Sequence, residues 1–178
     1  FIEETGAAQY LRDARITTIY EGTTGIQAND LIGRKIARDG GATLKGVIGL
    51  MKQVEAALAR QSGEDFAAIH AGFSRGIQAL AEAATYIATN FSQDIKGVHV
   101  GAVPFLRLMG IVSGGWQTAR AALVAQAKIA AGDSDPYYPT KIATTRFYAD
   151  HVLSQASGLS QTVIKGGTGA LAVPEEHV

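Results

Sequence analysis

The chain has 178 residues, enough to bury a core and suited to one domain or a domain with an appendage. Its sixteen basic and sixteen acidic residues balance, so neither nucleic acid nor an anionic membrane is expected as a partner. Cysteine is absent, which excludes a disulfide framework and a thiolate metal site and is compatible with the cytoplasmic location that we expect. No charge-poor stretch reaches the ~18–20 residues of a membrane-spanning helix.

The amino-terminal residues predict a short helix that leads into a loop. Residues 3–15 are rich in good helix formers, although Gly6 weakens the pattern. Residues 16–20 are β-branched or aromatic, which favours an extended or irregular connection. This connection leads to a carboxylate, Glu21, in a loop of small residues.

A second helix is predicted to begin directly after Glu21 and to end at Gly40–Gly41. Thr24 and Gln27 have the spacing of a capping box. One apolar stripe follows at helical spacing, made of Ile26, Ala28, Leu31, Ile32 and Ile36, with Lys35 on the same face.

The position of Glu21 before a helix allows two interpretations. The positive end of the helix dipole favours an ionised carboxylate, which could serve as a general base if a substrate C–H came within reach. On these residues alone, an acidic residue that only favours the helix start is the commoner explanation.

Four more helical patterns follow, each with apolar residues three and four positions apart. Their seams run through residues 44–58, 66–91, 98–123 and 142–163, with the last helix ending at Gly166–Gly167. Amphipathic helices with short connections are typical of an up-down-up-down bundle. We therefore predict an all-α fold, in which the helical segment that carries the Glu21 loop precedes an up-down four-helix bundle.

Glycines occur in the interiors of these helices, where each costs about 1 kcal/mol relative to alanine. We expect close helix–helix approach at these positions, within the chain or against a partner subunit, and a ligand groove is the alternative. The positions are Gly46 and Gly49, Gly72 and Gly76, and Gly110 and Gly114.

Other candidate sites have ordinary explanations. The four histidines lack metal-ligand spacing, so no metal site is predicted. Residues 165–169 contain three glycines but lack P-loop spacing, and a helix end leading into a flexible tail explains them. Arg107, Arg120 and Lys128 are spread out and form no basic stripe for nucleic acid.

Three groups of residues together resemble the C-terminal signature of the flavin-dependent acyl-CoA dehydrogenases. They are Arg12–Ile16, Ile19–Thr23 and Ile26–Gln27. The continuation Gly25–Lys35 resembles the longer branch of that family, which has an extra C-terminal helical region.

The resemblance implies a role for each residue of the loop. Glu21 would remove the α-proton of an acyl-CoA thioester while the β-hydrogen leaves as hydride to FAD, which gives a trans-2-enoyl-CoA. The backbone of Gly22 would contact the substrate, and Thr23, Thr24 and Gly25 would lie beside FAD.

The resemblance also implies a division of the chain. Residues 1–40 would be the end of the catalytic domain, residues 41–166 the added helical domain, and residues 167–178 a tail. We expect a C-terminal fragment that alone holds neither FAD nor acyl-CoA and is inactive. Its parent would be a homo-oligomer that uses an acyl-CoA substrate and passes electrons from the flavin to an acceptor.

The alternative is a non-catalytic helical module for oligomerisation or interaction. In that case the Glu21 motif would be a structural relic.

Overall fold

The computed structural model of the chain describes residues 3–18 and 23–177. This part contains helices and turns without any strand, which confirms the predicted all-α class. Its α-helices are α1 (Ala7–Ile16), α2 (Thr24–Asp30), α3 (Ala42–Leu58), α4 (Glu64–Asn90), α5 (Ile95–Val100), α6 (Ala102–Ala130), α7 (Tyr137–His151) and α8 (Ala156–Ala170). A π-helical stretch covers Leu31–Ile36, and 3-10 turns cover Glu3–Thr5, Ala37–Asp39, Leu153–Gln155 and Glu175–His177. None of these helices is long and apolar enough to cross a membrane.

The core is centred on α4, which contacts α3, α6, α7 and α8. The seam predicted for this helix is confirmed, because its large apolar residues are nearly inaccessible to solvent. They are Phe66, Ile69, Phe73, Ile77, Leu80 and Ile87. Burying side chains of this size contributes about 1.5–3 kcal/mol each before the entropy of folding is counted.

Two hydrogen bonds fix how α6 and α7 lie against each other. The Thr145 hydroxyl donates to the carbonyl of Thr118 at 3.1 Å, and the Tyr148 hydroxyl donates to the carbonyl of Ile111 at 3.0 Å. The later residue of α7, Tyr148, bonds to the earlier residue of α6, Ile111. These two helices therefore run antiparallel.

The third predicted helix is divided into α5 and α6 at Gly101, so its description as one helix was wrong. Pro104 lacks the N–H that would bond to the carbonyl of Val100, and it therefore occupies the first turn of a new helix. At the break α8 approaches closely, since a Cβ atom on Gly101 would lie 3.2 Å from the Cα of Val163.

The fourth predicted helix is also divided, because a 3-10 turn at Leu153–Gln155 separates α7 from α8. Leu153 is 4% exposed and lies against α4 and α6. A Cβ atom would lie 3.1 Å from its Cδ2 if placed on Gly76 and 2.8 Å if placed on Gly115. The turn thus seats Leu153 in a crevice that only glycines on both neighbouring helices leave open.

The predicted end of the last helix at Gly166–Gly167 was wrong, because α8 continues to Ala170. Gly167 is buried against the backbone of α5, and this packing holds the helical turn in place despite the low helix propensity of glycine.

The expectation of close approach at glycines is confirmed at three of the six positions. Cβ atoms on Gly72 and Gly76 would lie 3.1 Å from side-chain carbons of Ala149 and Leu153, and one on Gly114 would overlap the ring of Tyr148. At the other positions no atom of another helix in the described part of the chain lies within 4 Å, so close packing among residues 3–18 and 23–177 does not explain them. These positions are Gly46, Gly49 and Gly110.

Candidate functional site

Three residues of the predicted site lie at the start of α2. Thr23 is the N-cap residue with an extended backbone, Thr24 is the first helical residue, and Gly25 follows it. Both threonines are exposed and Gly25 is half-buried, so all three are accessible to a ligand. The predicted base Glu21 and the predicted substrate contact Gly22 lie outside the described residues.

The helix start differs by one residue from the predicted capping box. The hydroxyl of Thr23, not that of Thr24, accepts a hydrogen bond from the N–H of Ile26 at 3.4 Å. Two threonines in succession offer the same capping chemistry, and the extended backbone at Thr23 decides between them.

The signature helix, residues 24–39, is anchored to the bundle by one buried seam. Ala28, Ile32 and Ile36 are at most 1% exposed, and the segment contacts α3, α4 and α6. Ile26 was predicted to join this seam, but it is 59% exposed. It lies two residues before Ala28, and at 3.6 residues per turn such a spacing places it on the opposite side of the helix.

The middle of the signature helix is π-helical over Leu31–Ile36. Such stretches are rare and occur frequently at functional sites. Gly33 lies within it, and a Cβ atom there would meet the ring of Phe91 at 3.5 Å. The widened turn is therefore packed against the end of α4.

The signature helix ends where it was predicted to end, at Gly40 (φ 64°) and Gly41 (φ 82°). Asp39 caps α3, because its carboxylate accepts hydrogen bonds from the N–H of Gly41 at 3.0 Å and of Thr43 at 2.9 Å. The Thr43 hydroxyl also donates to it at 2.6 Å. These bonds, that of the Thr43 hydroxyl foremost, lower the pKa of Asp39. The sequence analysis missed this cap. An acidic residue just before the start of a helix, as Asp39 is before α3, is the signal that could have predicted it.

Residues ahead of the signature helix present apolar side chains to solvent. The predicted helix over residues 3–15 is interrupted by Gly6 (φ 74°), and α1 begins directly after it. In α1, Tyr10 is 80% exposed and Leu11 and Ile16 are more than half exposed. At 3.6 residues per turn these three side chains lie on different sides of α1, and apolar side chains exposed singly are ordinary on a protein surface.

The start of α2 fits a peripheral contact with a flat cofactor. Within the described residues Thr24 is exposed and Gly25 is half-buried, and the Thr24 hydroxyl could hold a polar atom of a ligand. No group of three histidine or acidic residues suited to a metal ion occurs within residues 3–18 and 23–177.

Comparison with known families defines the class of protein. A family model described as "Acetyl-CoA dehydrogenase C-terminal like" matches residues 50–174, which form most of α3 and all of α4–α8. The chain therefore belongs to this family.

Curated relatives extend the similarity to the amino-terminal residues. The chain is 40% identical over 177 residues to 3-methylmercaptopropionyl-CoA dehydrogenase of Ruegeria pomeroyi, which covers 96% of the chain and 29% of the relative. It is 34% identical over 160 residues to the broad-specificity linear acyl-CoA dehydrogenase FadE5 of Mycobacterium tuberculosis. This alignment covers 86% of the chain and 26% of the relative. A butyryl-CoA dehydrogenase of Syntrophomonas wolfei is 29% identical over 99% of the chain and 29% of its own length. The chain thus spans less than a third of these relatives.

Proposed function

We propose that this chain is the C-terminal part of a flavin-dependent acyl-CoA dehydrogenase and that Glu21 is its catalytic base. One observation carries the proposal: the family match over residues 50–174 follows the Glu21 signature. The relatives aligned over 96% and 99% of the chain are named 3-methylmercaptopropionyl-CoA dehydrogenase and butyryl-CoA dehydrogenase. The alignment that covers 99% of the chain includes the whole loop around Glu21.

The chemistry explains why a carboxylate is needed at this position. The α-proton of a thioester is weakly acidic, so its removal requires a positioned base and stabilisation of the developing enolate oxygen. FAD, when bound, accepts the β-hydrogen as hydride. The small residue Gly22 lets the thioester approach Glu21, while Thr23, Thr24 and Gly25 border the cofactor.

The division of the chain belongs to the same proposal. Residues 1–40 would end the catalytic domain and the added helical domain would begin at residue 41. Because α8 continues to Ala170, the tail would begin at residue 171 and not at residue 167. The seam of Ala28, Ile32 and Ile36 fixes the start of α2 relative to the helical domain. We propose an up-down arrangement of that domain, which the antiparallel contacts of α6 and α7 support.

The relatives, of which this chain spans 29% or less, support a further part of the protein that would lie against α1. Tyr10, Leu11 and Ile16 would be covered by the remainder of an enzyme whose relatives are about three times longer than this chain. We therefore expect the isolated chain to bind neither FAD nor acyl-CoA. Stoichiometric flavin absorbance after reconstitution and gel filtration of the 178-residue chain would contradict this expectation.

Anaerobic mixing of the full-length protein with saturated acyl-CoA thioesters of several chain lengths tests the activity itself. Bleaching of the flavin together with formation of an enoyl-CoA is the expected result. A flavin that stays oxidised with every thioester would reject the dehydrogenase assignment. Reoxidation by added acceptors then identifies the class of electron acceptor.

A helical self-association module is the second candidate function. It is favoured by α3, where Gly46, Gly49 and the 49% exposed Leu50 have no packing partner within the described chain that explains them. Sedimentation velocity of the isolated chain over a range of concentrations tests it. A dimer that Leu50→Gln dissociates supports assembly through α3, and a monomer at every concentration contradicts it.

A further inference from the structure

A groove lies between α6 and α7. It has a volume of about 350 Å³, which lies within the usual range for small-molecule sites. Its lining consists of Gln117, Arg120, Ala121, Val124, Ala125, Tyr137, Tyr138 and Lys141. We refer to it as the α6–α7 groove.

The apolar part of the groove is unusually open to water. Val124 is 61% exposed and Tyr137 is 57% exposed, while Ala121 and Ala125 leave room between them. A flat apolar group placed there would cover both large side chains. Tyr137 and Tyr138 meet edge to face with centroids 5.9 Å apart, which leaves the ring of Tyr137 available on the groove side.

Two cations lie on the two sides of the groove, one on each helix. The Arg120 guanidinium lies 5.8 Å from the ring centroid of Trp116 and donates to the side chain of Gln117 at 2.8 Å. The Lys141 ammonium lies 5.2 Å from the ring centroid of Tyr137. Aromatic faces hold both cations in place without neutralising their charge.

Neither cation has a carboxylate partner within 4.0 Å in the part of the chain that the structure describes. The nearby acidic residues are engaged in the turn before α7. Asp133 accepts from the Tyr138 hydroxyl at 2.9 Å, and Asp135 accepts from the N–H of Tyr137 at 2.8 Å. The groove therefore has its positive charges at Arg120 and Lys141, while the carboxylates of Asp133 and Asp135 lie beside its tyrosines.

We propose that the α6–α7 groove binds a small molecule that carries an aromatic ring and a phosphate or carboxylate group. The ring packs against Val124 and Tyr137, and the anion is held between Arg120 and Lys141. Neither the signature helix nor the proposed dehydrogenase reaction is involved. This proposal is therefore independent of the proposed function.

Isothermal titration of the 178-residue chain tests the proposal with four probes. Adenosine monophosphate and naphthalene-2-carboxylate combine a ring with an anion, and they distinguish phosphate from carboxylate. Adenosine supplies a ring alone and inorganic phosphate an anion alone. We expect at least one combined probe to bind one to one with a dissociation constant below about 1 mM, at least about tenfold tighter than either single-feature probe.

Variants assign that binding to the groove. The double variant Arg120→Gln/Lys141→Gln should weaken binding at least about tenfold, because both charges are lost. The control Arg60→Gln/Lys165→Gln removes one arginine and one lysine from exposed positions outside the groove and should leave binding unchanged. Val124→Glu places a carboxylate in the groove at an exposed position, so it should abolish binding without affecting the fold.

Trp116 provides a second readout, since it is the only tryptophan in the chain and lies beneath Arg120. Its fluorescence should change on binding in the parent chain and in the control variant. Circular dichroism checks that each variant retains its helices. The proposal is overturned if neither combined probe saturates the chain, if the control weakens binding as much as the groove variant, or if Val124→Glu binds normally.

Discussion

Gly97 and Gly167 pack backbone against backbone where α5 crosses α8. A Cβ atom on Gly167 would lie 3.0 Å from both the Cα atom and the carbonyl oxygen of Gly97. Real Cβ atoms rarely approach other atoms so closely, and backbone atoms cannot move aside as a flexible side chain can. The last turns of α8 therefore depend on glycine at this position.

Gly167→Ala should destabilise the protein by about 1–3 kcal/mol, because the added methyl group forces α5 and α8 apart. For a chain of this size, that loss lowers the melting temperature by about 2–4 °C per kcal/mol. Gly166→Ala is the matched control, since its Cβ atom would make only an ordinary contact of 3.7 Å with Thr162. The control should be neutral or stabilising by up to about 1 kcal/mol. Equal melting temperatures for the two variants would contradict the packing described here.

The cap formed by Asp39 should make stability depend on pH. Its hydrogen bonds lower the pKa of Asp39 below its ordinary value of 3.8 in the folded state. The stabilisation is therefore present above that ordinary value and is lost as the pH falls toward the lower folded-state value. Asp39→Asn should have a lower melting temperature than the parent chain at neutral pH, and the difference should shrink in acid.

Thr43→Val serves as the partner variant for this cap, because the Thr43 hydroxyl donates the shortest of the bonds to Asp39. In a double-mutant cycle the two changes should be less than additive. Additive effects, or a difference that persists at low pH, would show that the cap does not stabilise α3.

Arg146 links α7 to the start of α4 through a group of carboxylates. Its guanidinium contacts Asp150 at 2.7 Å, Asp65 at 3.3 Å and Glu64 at 3.8 Å. The hydrogen bond to Asp150 raises the pKa of Arg146, so the charge is retained at all ordinary pH values.

Arg146→Gln should cause a small fall in melting temperature at low salt, because the carboxylates of Glu64 and Asp65 are largely exposed and such pairs are individually weak. The fall should diminish in 1 M salt, where the screening length is about 3 Å. Thermal denaturation at both salt concentrations measures the effect. If the difference in melting temperature between Arg146→Gln and the parent chain does not change with salt, the ion pairs do not stabilise the protein. Packing of the aliphatic part of the Arg146 side chain would then explain the difference.

The spacing of apolar residues along the chain predicted much of the fold. It could do so because the helices bury their apolar faces in one core centred on α4. The three- and four-residue steps between Phe66, Ile69 and Phe73 define one face whatever surrounds it, and all three are buried. The end of the signature helix at Gly40–Gly41 was predicted equally well, because the positive φ angles there favour glycine.

The breaks at Gly101 and Leu153 were not predictable from spacing, because contacts distant in sequence decide them. Gly101 lies against Val163, and Leu153 enters a crevice between Gly76 and Gly115. The spacing of apolar residues within one helix carries no information about such contacts. Pro104 was the one local signal of the first break.

The candidate site was predictable in composition and less so in detail. The signature identified Thr23, Thr24 and Gly25, and the structure brings these three together at the start of α2. The capping residue was displaced by one position because adjacent threonines are chemically equivalent. The roles of all five residues from Glu21 to Gly25 remain predictions that depend on the signature.

The central claim is tested most directly by Glu21→Gln in the full-length protein, mixed anaerobically with a saturated acyl-CoA in a single turnover. We predict that flavin content, thioester binding and melting temperature stay as in the parent protein. The rate of flavin reduction should fall by about 10²-fold or more, because glutamine cannot accept the α-proton. The matched change Glu4→Gln, at an exposed position of the same segment, should leave the rate unchanged. A Glu21→Gln protein that reduces its flavin within tenfold of the parent rate would contradict the assignment of Glu21 as the base.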